Sequence, residues 1–124
     1  MMNAEDFRRI ALKMGDAIES AHMGHPDFRI NGRIFATLHP DQQWGMVKLR
    51  PDQQQRFVRE NPATFVPESG AWGRQGCTRV RLDSVDEDAL GEVMTLAWQN
   101  TAKGVAGRLK PEQKTTPIRP SRKR

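Results

Sequence analysis

His22, His25 and Asp27 are the nearest this sequence comes to a chemical constellation. Two imidazoles and a carboxylate this close could meet on one divalent metal, for which both are ordinary ligands. The spacing argues otherwise, because a helix would align His22 with His25 whereas Gly24 and Pro26 predict a turn. A structural zinc centre needs four ligands, no familiar Cys/His spacing supplies them, and His39 could join only through the fold. Ordinary tertiary hydrogen bonds are expected at these residues, and no metal.

Nucleophilic chemistry is no better provided for. Cys77 is the only cysteine, which excludes an internal disulfide and a thiol-only metal site within one chain. It reads as a packing residue, although a place beside Arg79 on an exposed strand face would favour its thiolate. Ser20, Ser69 and Ser84 have no nucleophile elbow around them. Gly70-Ala71-Trp72-Gly73 and Gly73-Arg74-Gln75-Gly76 lack the Lys-Ser/Thr ending of a phosphate-binding loop, so they read as flexible punctuation with Trp72 as a buttress. The sequence thus names no catalytic residue and no cofactor.

Positive charge is what remains, and it is unevenly spread. Residues 1–102 carry 12 Lys/Arg and 14 Asp/Glu, a net of −2, while residues 103–124 carry 8 Lys/Arg and one acid, a net of +7. Any attraction for a polyanion by bulk charge therefore belongs mainly to the second segment. That segment has Pro111, Pro117 and Pro120, scattered apolar residues and no sustained period, which predicts a mobile basic tail. The division is a domain over 1–102 and a tail over 103–124. The amino terminus has no basic region followed by an apolar stretch, and no apolar run approaches the roughly 20 residues of a bilayer span, so a cytoplasmic protein without a membrane partner is expected.

The elements that would position these residues follow from period and caps. Asn3 and Asp6 suit the start of a helix, and Phe7, Ile10, Ala11 and Met14 recur on one face of it, predicting a helix over 4–14. A short segment over 17–23 precedes a hairpin over 27–38, in which Asn31-Gly32 supplies the two-residue turn. That turn sets Phe28 opposite Phe35 and Arg29 opposite Ile34, leaving apolar groups on both faces. A strand over 44–49 and a short helix from Pro51 to about Arg59 come next. Residues 63–76 read as a long connection with room for a short strand. Cys77 to Leu82 alternates, with Thr78, Val80 and Leu82 on one face and Cys77, Arg79 and Arg81 on the other. Ser84 and Glu87 have capping-box spacing ahead of a helix to about Asn100. The fold class is α+β, a largely antiparallel sheet with helices packed on one face.

Several stretches taken together carry a resemblance. Ala21-His22-Met23-Gly24-His25-Pro26-Asp27-Phe28-Arg29, Ile34-Phe35-Ala36-Thr37-Leu38, Trp44-Gly45-Met46-Val47-Lys48-Leu49, and Val66-Pro67-Glu68-Ser69-Gly70-Ala71-Trp72-Gly73-Arg74-Gln75-Gly76 running on through Thr78-Arg79-Val80-Arg81-Leu82 resemble the MmcQ/YjbR family over residues 4 to about 101. The resemblance implies a fold like that of the frataxin-type protein CyaY and a DNA-binding protein with a double wing of β-hairpins. It brings no catalytic motif. Arg50 stands where a capping Thr or Ser would be expected, and Cys77 where an aromatic residue would be.

Two functions of different kind follow. In the first, Arg29, Arg33, Lys48, Arg74, Arg79 and Arg81 gather on one solvent-facing surface and contact phosphate of double-stranded DNA, while Arg119, Arg122, Lys123 and Arg124 of the tail add salt-sensitive affinity. In the second, His22, His25, Asp27, Trp44 and Trp72 form a pocket of a small-ligand or protein-interaction module, with a homodimer as one partner arrangement.

Overall fold

The computed structural model describes residues 2–109, with side chains through Lys103. Arg119, Arg122, Lys123 and Arg124, and the tail character expected of residues 110–124, lie outside the described residues.

Helix α1 (Ala4–Leu12) opens on the reciprocal cap its sequence suggests. The Asp6 N–H donates to Asn3 Oδ1 at 2.9 Å and the Asn3 N–H to Asp6 Oδ2 at 3.1 Å. Strands β1 (Ile18–His22), β2 (His25–Ile30), β3 (Arg33–Leu38) and β4 (Trp44–Lys48) follow as a meander. The first two connections each close on a pair of left-handed residues, Met23 with Gly24 and Asn31 with Gly32. This is the backbone that a two-residue hairpin turn demands.

The β2–β3 register departs from the expected hairpin in one informative way. Arg29 faces Ile34 as the turn requires, but Phe28 faces Ala36 and not Phe35, because the register shifts between Phe28 and Arg29. Phe35 is thus the extra residue of a bulge. The bulge removes the two-sided apolar pattern: Phe28, Phe35 and Ala36 all enter the core with no exposed surface, while Ile34 stays on the other side with Arg29.

Helix α2 (Pro51–Glu60), β5 (Phe65–Pro67), the short α3 (Gly70–Arg74), β6 (Cys77–Arg81) and α4 (Glu87–Leu109) complete the chain. The six strands form one sheet in the order β1-β2-β3-β4-β6-β5, with every pairing antiparallel. The long helix α4 crosses β3 and β4 and packs against α1, burying Leu90, Val93, Met94 and Ala97 completely. The Phe57 ring of α2 meets Phe65 of β5 with centroids 5.2 Å apart. All of this forms one apolar cluster on one face of the sheet, as expected for the α+β class.

Three local expectations are corrected. The α4 cap is Asp86, whose Oδ1 accepts the Ala89 N–H at 2.7 Å, and the Ser84 hydroxyl is instead bonded to Thr64 at 2.7 Å. The α4 backbone continues past Asn100 to Leu109, through the first residues assigned to the tail. The glycine-rich stretch at 70–74 is helical rather than loose. Arg50 does leave α2 without a side-chain acceptor, and the Gln53 side chain compensates by accepting the Arg50 N–H at 2.9 Å. Among the described residues no helix is long and apolar enough to cross a membrane.

Candidate functional site

With one face under the helices, alternate strand residues are left on the other. The register sets Asp27 beside Thr37, Thr37 beside Met46, and Met46 beside Arg79, a row running across β2, β3, β4 and β6. In flanking rows Lys48 lies beside Cys77, and Trp44 beside Arg81.

The β5–α3 connection closes this face on one side. Its Glu68 N–H donates to the Cys77 carbonyl at 2.9 Å. A Cβ on Gly73 would stand 1.7 Å from the Glu68 carbonyl oxygen, so α3 can sit this close only with glycine there. The buried Gln54 amide then donates to the Gly73 and Cys77 carbonyls, both at 3.0 Å. These contacts hold Trp72 at the rim, 60% exposed, with Lys48 Nζ 6.0 Å from its ring centroid.

Between α3 and the β1–β2 hairpin lies an open pocket of about 390 Å³. Its floor includes Ile34, Thr37 and Met46; His22, His25 and His39 come from the β1–β3 side, and Lys48, Glu68 and Trp72 from the other. Glu68 bridges the two sides, with Oε2 3.4 Å from His39 Nε2 and Oε1 3.9 Å from Arg79 Nε. The His22 and His25 rings meet edge to face at 4.7 Å. His22 Nδ1 lies 2.6 Å from Asp27 Oδ2, so the two outer histidines are each tied to a different carboxylate. Among the described residues no three His, Cys, Asp or Glu side chains are grouped to hold one ion.

Asp27 has no exposed side-chain surface, and it is satisfied by a forked contact from Arg29, with Nε donating to Oδ1 at 2.7 Å and Nη2 to Oδ2 at 3.0 Å. The Arg29 guanidinium holds its carboxyl below the usual carboxylate range, His22 adds to this, and burial opposes both. A depressed folded-state pKa contributes stability that is present above the ordinary carboxylate pKa and is lost as pH falls through the folded value. The Tm gap between the parent and Asp27→Asn should therefore be full above about pH 5 and shrink progressively below about pH 4, measured by circular dichroism. A gap constant from neutral pH into acid would refute this role.

The described basic residues expected to act as one phosphate surface are put to different uses. Arg29 is committed to Asp27, Lys48 lines the pocket, and Arg74 ends α3. Arg33 lies at the opposite end of the strands from Arg81, since β3 begins at Arg33 while Arg81 pairs with Trp44 beyond the Leu38 end. Among the described residues, Arg79 and Arg81 are brought together, with guanidinium carbons 5.0 and 5.7 Å from the Trp44 ring centroid. Each also has a carboxylate near, Glu68 for Arg79 and Asp83 at 2.8 Å for Arg81.

Of the expected pocket residues, His22, His25 and Trp72 line the cavity, Asp27 lies hydrogen-bonded behind His22, and Trp44 stands apart beneath the two arginines. Trp72 stands at the rim, within helix α3 rather than beside a loose glycine loop. Cys77 is on the predicted face yet buried, and burial pushes its thiol up, away from the thiolate. His39 and Glu68 were not singled out as pocket residues by sequence; their signal was the odd-even phase of β3 and the position of Glu68 two residues before a glycine-led helix.

A family model described as YjbR matches residues 12–100. Among solved structures, the crystal structure of Deinococcus radiodurans protein DR2400, which bears the family-model domain DUF419, aligns with a TM-score of 0.69 at 17% identity, covering 92% of this chain and 84% of that one. At that identity the likeness concerns the fold alone. No curated protein matches.

Proposed function

The chain belongs to the YjbR family, and from that premise we propose that it is a non-catalytic module that binds double-stranded DNA through its phosphates. The observation that carries the reading is the pairing of Arg79 and Arg81 over Trp44 on the sheet face opposite α1 and α4. Stacking on an indole orients a guanidinium while leaving its N–H groups free for phosphate oxygen. The carboxylate beside Arg81 does not close this site. Arg81 and Asp83 are 50% and 55% exposed, and exposed pairs of this kind are worth about 0–1 kcal/mol, so a phosphate can take the place of Asp83. The basic residues beyond Ala102 supply the larger electrostatic share, and the folded body sets the register of docking.

Fluorescence anisotropy of a labelled duplex across salt concentrations tests the reading. For Arg79→Ala/Arg81→Ala the slope of log affinity against log salt should become shallower by about two, with affinity lowered roughly tenfold or more near physiological salt. An unchanged slope would remove the body from the interface, and no binding by the full chain even at low salt would overturn the DNA reading altogether.

A further inference from the structure

The pocket is separate from the Arg79–Arg81 pair in what it offers. Its 390 Å³ matches the size of sites that enclose small organic molecules. Ile34, Met46 and the exposed Trp72 ring give it broad apolar surface, the last as a flat platform.

Its charge is not balanced. Among the described residues Glu68 is the only carboxylate lining the pocket, and it is already shared between His39 and Arg79. Lys48 has no carboxylate within ion-pair distance among the described residues, and its ammonium is held near the Trp72 ring. An apolar platform beside an uncompensated ammonium is the arrangement that accepts an anionic group attached to a ring, with the charge-assisted hydrogen bond fixing its orientation.

A second observation also points to an absent partner. His25, in the pocket wall, has a buried Nδ1 without any hydrogen-bond partner. Buried polar atoms are seldom left so. A ring flip carries Nδ1 to the position of Cδ2 and Nε2 to that of Cε1 in nearly the same volume, and a ligand oxygen or nitrogen beside the relocated nitrogen then satisfies the imidazole as donor or acceptor.

We propose that this pocket binds a small aromatic monocarboxylate, its ring lying against Trp72 and its carboxylate received by Lys48, with His25 contacting a polar substituent or the second carboxylate oxygen. A dianion fits less well, since among the described residues the pocket offers one uncompensated cation. A cation is disfavoured for the same reason.

The test is titration of the full chain with 2-naphthoate, followed by amide and methionine-methyl NMR shifts, beside its neutral amide and the cationic 2-naphthylmethylamine. Saturable shifts at Met46 and Trp72, with the amide and the amine each binding roughly tenfold or more weakly, are expected. Lys48→Met should erase the preference for the carboxylate while the neutral amide still binds, and Trp72→Ala should weaken all three. Both positions are at the surface of the pocket, and an unchanged thermal melt checks that the variants fold. Absence of saturable shifts at the highest soluble concentration would overturn the proposal. Equal binding of the carboxylate and its amide, or undiminished affinity for the carboxylate in both variants, would do the same. DNA binding by these variants is a separate readout, so loss of one activity leaves the other standing.

Discussion

Gly76→Ala should remove most of the stability of the folded domain. Gly76 has φ +113°, a backbone that residues with a Cβ rarely adopt, and an added Cβ would stand 2.0 Å from the Leu49 carbonyl oxygen and 2.8 Å from the Arg50 carbonyl carbon. The backbone term alone costs about 1–3 kcal/mol. Relief of the clash requires moving the chain that leads into α2 or the start of β6, and both are held: Gly76 O accepts the Thr78 hydroxyl at 2.8 Å, and Gln54 ties α2 to the Cys77 carbonyl. Net stability of a small domain is about 5–15 kcal/mol, so strain and clash together remove most of it. With 1 kcal/mol worth about 4–8 °C in a domain of this size, a fall in Tm of 20 °C or more, or insoluble expression, is the expected outcome. Gly32→Ala is the control, because Gly32 also has positive φ but nothing within 4 Å of its added Cβ, and its cost should stay near 1–2 kcal/mol, roughly the left-handed backbone term alone. Equal melting of the two variants would mean that β6 and the chain ahead of α2 are not in such close approach.

That contrast shows which features a sequence carries. The α1 cap and the Asn31-Gly32 turn were legible because each rests on residues three or fewer positions apart, where local chemistry decides. The bulge at Phe35 was not, since it arises from two phenylalanines competing for one distant core under helices the hairpin does not contain. The same holds at α4. Ser84 has the capping-box spacing, but its hydroxyl is held by Thr64 in a long-range hydrogen bond and Asp86 caps the helix instead. Helix α3 was read as loose because its glycines suggest freedom, whereas Gly73 is there for close approach to Glu68.

The site was legible by face and illegible by depth. Alternation correctly separated Cys77, Arg79 and Arg81 from Thr78, Val80 and Leu82, yet period two cannot say whether a face meets solvent. Here the β5–α3 connection covers the Cys77 end and leaves the Arg81 end open, so one strand face holds a buried thiol and a half-exposed guanidinium. Charge counting failed in a related way. Arg29 counts as a cation in the sequence, but Asp27 beneath it needs that charge, and breaking the pair to reach DNA would leave a carboxylate without exposure unpaired.

Deleting residues 110–124 is expected to remove most of the affinity for DNA while leaving the fold's melting point nearly unchanged. The segment holds six Lys/Arg and one acid, whereas residues 1–109 hold 14 of each sign. The retained chain, ending where α4 ends, is therefore net neutral and has no long-range attraction for a polyanion. If five or six of the removed cations meet phosphates, the salt slope should become shallower by about five and affinity near physiological salt should fall roughly a hundredfold to a thousandfold. The Arg79→Ala/Arg81→Ala change acts elsewhere in the chain, so its slope change of about two should add to the loss on truncation. Additivity would identify two phosphate-binding regions. A truncated chain that keeps the parent slope would place all phosphate contact on the body, and a truncated chain whose residual binding ignores Arg79 and Arg81 would place it all in the deleted segment. A charged segment of this kind cannot distinguish bases, so any sequence preference must come from the folded domain and should survive truncation as a ratio between duplexes even as both affinities drop.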